Sequence, residues 1–313
     1  MGDSSPIKKL YVGRDEINKK VSVLIGCSGW SYEDWVGRFY PVALARKKEE
    51  WLRYYASFFT TVEVNSTFHR APNEIMVNGW IRKGKPLEGF EYSFKMPRTV
   101  THEAMVAMEG DRASIEATAF EETCIKPLAG NGLLGAVLLQ LSPSFQMRDD
   151  ALNVLETVLA SLDTEKYRYA VEFRHRSWLD DRTTLDPSTS KLLSSYNVAT
   201  VQVDGAGFRP VQDVTADHAY LRFHGQSREW SDEEGPQGQD YLYAEDELRP
   251  WADVIERLEG KKAEDVRVYF TNNGLARGVK NAFQMMDLLS IPHRKKEVHV
   301  HDQATLHAYH MHK

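Results

Sequence analysis

The sequence predicts a (β/α)8 barrel, one α/β domain of eight parallel strands with surrounding helices. Three observations predict it. Eight short apolar, β-rich runs alternate with longer amphipathic stretches between Val21 and Leu289. Several of these runs are apolar throughout, as expected for parallel strands covered on both faces. The chain has 313 residues, enough for one barrel of roughly 250. An open, doubly wound sheet is the competing arrangement of the same units.

The elements follow in order. VSVLIGC (21–27) is the first strand, too short to serve as the apolar region of a signal peptide. The amphipathic stretch Ala43–Phe58 leads to TVEVN (61–65), and Asn73–Arg82 leads to FEYSFK (90–95). Arg112–Pro127 precedes GAVLLQ (135–140), and Asp149–Leu162 precedes YAVEF (169–173). VATVQV (198–203) and AYLRF (219–223) are separated by Asp204–Asp217, which is too short and too broken by Pro and Gly for a full helix. Gly225–Asp240, rich in Gly, Ser, Asp and Glu, reads as a mobile loop over the barrel mouth. Glu245–Leu258, VRVYF (266–270) and Ala276–Leu289 complete the set. Residues 1–20 are then an N-terminal extension, 21–292 the barrel, and 293–313 a His-rich tail. Five of the eleven histidines fall in the last fifteen residues, where a solvated tail is expected and adventitious metal binding is the other reading.

Composition narrows the function. Lys plus Arg number 39 against 45 for Asp plus Glu, a net charge of −6. That excludes an indiscriminate nucleic-acid binder and leaves room for a local basic mouth. Cys27 and Cys124 form no disulfide framework and match no metal-ligand spacing, so a reducing, cytoplasmic setting is expected. No apolar run approaches about 18 residues, so no membrane partner is expected. Oligomeric state is not legible.

Three motif matches fail on geometry. GNGLLG (130–135) has the letters of a dinucleotide fingerprint. Its glycines leave a helix and enter a strand, whereas pyrophosphate binding needs the reverse. It should lie at the end of the barrel opposite the mouth. GCSGW (26–30) has Trp30 where a nucleophile elbow needs glycine, and HEAMV (102–106) lacks the second zinc histidine.

Polar residues recur at the C-terminal ends of the strands, where barrel active sites are built. Glu63 and Asn65 share a strand face, as do Glu172 and Arg174, and Arg222 and His224. Lys95, Arg98, Gln140, Asp204, Asn272 and Asn273 stand at or just beyond other strand ends. Trp30, Trp35, Phe39, Phe68 and Trp178 follow strand ends and suggest a stacking rim. An internal salt-bridge layer joining Glu63 and Glu172 to Arg174, Arg222 and Lys95 is the structural alternative.

These segments also carry a resemblance. IGCSGWSYEDWVGRFYP, VEVNSTFHRAP, LGAVLLQLSPSF, AVEFRHRSW, YLRFHG and VYFTNNGLARGVKNA, in this order, resemble the YecE-like family, domain of unknown function 72. The similarity runs from Val23 to Leu289 and implies a TIM barrel, with little about chemistry. Cys27, His69 and Thr271 depart from the family pattern.

The favoured function is an enzyme acting on an anionic substrate, phosphorylated or carboxylated, with phosphoester hydrolysis as the reaction. Glu63, Glu172 and His224 are the candidate acid/base residues, and Glu172→Gln should remove turnover at little cost in stability. Lys95, Arg98, Arg174 and Arg222 should converge on the anion. Trp30, Asn65, Thr67, His102, Gln140, Trp178, Asp204 and Asn272 complete the expected substrate contacts. No cofactor is required by the sequence. A divalent metal is compatible with Glu63, Glu172, Asp204 and His224. The alternative is a non-catalytic module for nucleotides or nucleic acid, with aromatic rings stacking on bases.

Overall fold

A computed structural model describes residues 22–180, 183–207, 211, 213–227, 241–259 and 263–300. The strands are β1 (Ser22–Cys27), β2 (Thr61–Val64), β3 (Glu91–Lys95), β4 (Leu134–Gln140), β5 (Tyr169–Glu172), β6 (Ala199–Gly205), β7 (His218–Gly225) and β8 (Asp265–Phe270). They form one sheet in the order β1-β8-β7-β6-β5-β4-β3-β2, parallel at every ladder. Parallel neighbours need crossovers. The helices are α1 (Lys48–Ala56), α2 (Ser66–His69), α3 (Glu74–Gly84), α4 (Gly110–Phe120), α5 (Lys126–Ala129), α6 (Asp149–Ser161), α7 (Pro187–Ser195), α8 (Glu245–Glu259) and α9 (Arg277–Leu288). Among the described residues, no helix lies between β6 and β7, and none is long and apolar enough to cross a membrane.

The barrel closes almost completely. Among the described residues β1 and β2 share no ladder, only a Ser28–Glu63 bridge in which the Gly29 N–H donates to the Glu63 carbonyl at 2.8 Å. Tyr55 of α1 fills the rest of the seam. Its hydroxyl accepts from the Cys27 N–H at 2.8 Å and donates to the Thr61 carbonyl at 3.0 Å. One phenol thus satisfies two backbone groups that a ladder would have paired. Gly26 faces this gap. A Cβ there would stand 2.3 Å from the Thr61 carbonyl oxygen, so the close approach requires glycine.

Side chains alternate across each strand. The inward faces contribute Ala136, Leu138, Ala170, Val201, Val203, Tyr220 and Tyr269 to a buried plug. At its N-terminal end Arg267 grips Glu91 with two bonds of 2.7 and 2.8 Å. The outward faces and the helices bury a larger core that includes Trp35, Phe39, Trp51 and Trp178.

Several local expectations are revised. The stretch expected as one helix from Arg112 to Pro127 divides into α4, a wide turn over Glu121–Ile125, and α5. Pro127 sits in the first turn of α5, where a missing N–H costs nothing. The expected elements omit α7, although Asp186 caps it from Ser188 and Thr189 and Pro187 opens it. Gly130–Gly132 form the turn from α5 into β4 at the N-terminal end of the barrel, with Gly132 at φ +68°. The described part of the expected tail is packed. Val298 and Val300 are buried, the His293 ring stacks on Phe283, and Arg294 lies over Phe58. The N-terminal extension, residues 228–240 of the expected loop and the histidines beyond 300 lie outside the described residues.

Candidate functional site at the barrel mouth

The inward alternation brings Glu63 (β2), Lys95 (β3), Gln140 (β4), Glu172 (β5) and Arg222 (β7) into the barrel at its C-terminal end, none more than 3% exposed. Arg222 is the hub. Its Nη1 donates to Glu172 Oε2 at 2.6 Å and to Gln140 Oε1 at 2.8 Å, and its Nη2 donates to Glu63 Oε1 at 2.9 Å. Glu63 also accepts from the Ser28 hydroxyl and the Tyr220 hydroxyl, both at 2.7 Å. Asn65 Nδ2 in turn donates to Ser28 Oγ. On the other side, Arg174 Nη1 donates to Glu172 Oε1 at 2.6 Å. His224 Nε2 lies 3.4 Å from that same oxygen, and its Nδ1 meets the Thr271 hydroxyl at 2.9 Å.

Burial alone would push the Glu172 carboxyl up. The guanidiniums of Arg222 and Arg174, with the His224 ring, outweigh it and hold the group well below the carboxylate range. Burial lowers His224 to about 4, against the pull of Glu172 and helped by Arg222, so the ring is neutral near pH 7. Burial and the Glu63 charge raise the Tyr220 phenol well above its usual value, so it remains a donor. Three cations, Lys95, Arg174 and Arg222, and two carboxylates, Glu63 and Glu172, stand together here, each at most 7% exposed. The Lys95 ammonium rests 3.8 Å from the centre of the Phe68 ring.

Other expected members stand elsewhere. Arg98 is exposed and pairs with Glu103 at 3.6 Å, so the four cations do not converge. Asp204 alternates with the inward Val203 and faces the helices, where the Tyr243 hydroxyl and Trp251 Nε1 donate to it at 2.6 and 2.5 Å. The four residues considered for a divalent metal are therefore not assembled. Among the described residues no cluster of three or more His, Cys, Asp and Glu could hold one. The Thr67 hydroxyl donates to the Lys95 carbonyl at 2.6 Å and ties α2 to β3. Asn272 donates to Tyr241 O and Asn281 Oδ1 beside α9. His102 packs edge-on to Phe68, with Nδ1 at the Thr101 hydroxyl.

The expected stacking rim is also corrected. Trp178 is fully buried, its Nε1 donating to the Phe145 carbonyl at 2.8 Å, and Trp35 and Phe39 are fully buried as well. Trp30 packs against Tyr92 on the helix side of β3. These rings fill the layer between sheet and helices. Both cysteines are buried, which pushes their thiols up and makes them poor nucleophiles.

The sequence expectations omit Ser28 and Tyr220, and they note Asn273 without assigning it to the site. Tyr220 was readable, because it shares a strand face with Arg222 and His224. Ser28 reaches Glu63 across the β1–β2 seam, a contact that no local spacing encodes.

A profile of the family described as protein of unknown function DUF72 matches residues 24–305. A DUF72 family protein of Thermotoga maritima is similar in structure, with 32% identity, a TM-score of 0.74, and coverage of 86% of this chain and 99% of that one. A DUF72 family protein of Enterococcus faecalis shares the fold at 21% identity and a TM-score of 0.69, covering 88% of this chain and 100% of that one. No curated protein matches the sequence.

Proposed function

The chain belongs to the DUF72 family, and from the mouth of its barrel we propose that it binds a small phosphorylated or carboxylated substrate and moves a proton on it through His224. Phosphoester hydrolysis is the favoured reaction. The observation that carries the reading is the gathering of three buried cations, Lys95, Arg174 and Arg222, at the C-terminal end of the barrel. Cations clustered at one mouth meet an arriving anion with charge-assisted hydrogen bonds, which are about twice as strong as neutral ones.

The proton carrier is assigned by what each group is free to do. Glu63 and Glu172 are held as acceptors by Arg222, so they form the floor of the site. Glu172 is then a positioning residue for Arg174 and His224, in place of the acid/base role expected from sequence. His224 is neutral near pH 7 and can accept a proton from an attacking water. A bound anion nearby raises its basicity. In ester hydrolysis water attacks phosphorus, the ester P–O bond breaks, and the proton taken by His224 passes to the leaving oxygen. A base-stacking module finds less support, since Trp35, Phe39 and Trp178 are buried in the core.

Thermal unfolding with inorganic phosphate, against chloride at matched ionic strength, tests the binding. A ligand specific to the folded state adds about 2.7 kcal/mol at a hundred times its Kd. Stabilisation by phosphate beyond chloride is expected, and equal melting in both salts contradicts the reading.

A further inference from the structure

The mouth holds two buried hydrogen-bond acceptors without a partner among the described residues, Asn65 Oδ1 and Asn273 Oδ1. Their orientations are fixed by groups that can only accept. Asn273 Nδ2 donates to the Ser28 main-chain carbonyl at 2.6 Å, and a carbonyl has no proton to return. Ser28 Oγ gives its single proton to Glu63, so it can only accept from Asn65 Nδ2. Asn65 thus spends its N–H end on Ser28, Asn273 spends its own on Ser28 and on the Tyr32 hydroxyl at 3.0 Å, and both turn their oxygens away from Ser28. Flipping either would set oxygen against oxygen. Asn273 is 2% exposed, and an amide oxygen left dry at such a site costs about 1–3 kcal/mol.

The two acceptors follow β2 and β8, flanking the end of β1, whereas Lys95, Arg174 and Arg222 come from β3, β5 and β7. From this division we infer that the ligand is a polyol anion, whose hydroxyl groups donate to Asn65 and Asn273 while its phosphate or carboxylate meets the cations. Hydroxyls fit better than an ammonium group, because three cations, Lys95, Arg174 and Arg222, already stand at this mouth. The inference rests on the anion-binding reading above and adds to it the neutral part of the molecule.

Glycerol phosphate and n-propyl phosphate form a matched pair, differing in two hydroxyls, and inorganic phosphate supplies the anion alone. Calorimetric titration of the three into the full chain, and into Asn65→Ala, separates the readings. Glycerol phosphate should bind at least about tenfold more tightly than propyl phosphate, since a site built for hydroxyls rejects an analogue lacking them. In Asn65→Ala the gap should shrink severalfold while propyl phosphate affinity holds. Equal binding of the two esters to the unaltered chain overturns the polyol inference and leaves anion binding standing. Failure of all three phosphates to bind overturns both.

Discussion

Arg222 and Glu172 are locked together at the centre of the barrel mouth, 2.6 Å apart, with 2% and 0% of their side chains exposed. The same guanidinium holds Glu63. The layer below the proposed anion site is thus an ion-paired floor, and its integrity decides whether the groups above it keep their places.

Arg222→Met is expected to lower stability by about 3–5 kcal/mol at neutral pH, because it strands buried carboxylates. Stranded carboxylates have folded pKa values above their unfolded ones, so the deficit is present at high pH and shrinks as pH falls. Urea unfolding of variant and parent at pH 7 and pH 4.5 checks both parts. Glu172→Gln should also cost stability, by about 3 kcal/mol, in contrast to the expectation from sequence, because two guanidiniums lose their shared partner.

His224 makes stability depend on pH in a defined window. Its folded value of about 4 lies below the ordinary 6.5. The unfolded chain therefore takes up this proton first, and stability falls as pH drops between those values, by about 3 kcal/mol in total. His224→Gln should flatten that slope. Glu172, held low by Arg222 and Arg174, adds a further loss only at more acidic pH. An unchanged slope in the variant would remove His224 as its source.

Trp178→Ala separates core from ligand wall. With the ring buried against Phe145 and Phe173, the substitution should cost about 3–5 kcal/mol. Phosphate affinity of the folded variant should not change. A large affinity loss at unchanged stability would return Trp178 to the mouth.

Tyr55→Phe tests the seam. Losing the hydroxyl leaves the Cys27 N–H and the Thr61 carbonyl without this partner, at a cost of about 1–3 kcal/mol. Hydrogen exchange at the Cys27 amide should quicken while strands away from the seam are unaffected. Equal protection there would mean that the barrel closes without the phenol.

Most of the barrel was legible because its signals are local. Apolar runs such as VLIGC and AVLLQ and the helical stretches between them mark strands and crossovers without reference to distant residues. The i, i+2 spacing likewise placed Glu172 with Arg174 and Arg222 with His224 on inward faces. What the sequence hides is direction at the end of a strand. Asp204 and Val203 are neighbours, yet only Val203 looks inward, and the register that decides this is set by pairing with β7. Trp178 and Arg98 failed for a related reason. They stand in loops past the strand ends, where alternation no longer applies and packing or solvent sets the side chain. The β1–β2 seam depends on a hydroxyl from α1, a long-range fit with no signature of its own.

The most direct test of the account is calorimetric titration of inorganic phosphate into the parent chain, Lys95→Met and Arg98→Met. Lys95 is buried at the mouth and Arg98 is exposed beside Glu103. The account predicts binding to the parent, at least about tenfold weaker binding to Lys95→Met, as expected for loss of a charge-assisted contact, and parent-like binding to Arg98→Met. Absence of binding to the parent, or affinity that survives Lys95→Met and falls in Arg98→Met, would contradict it.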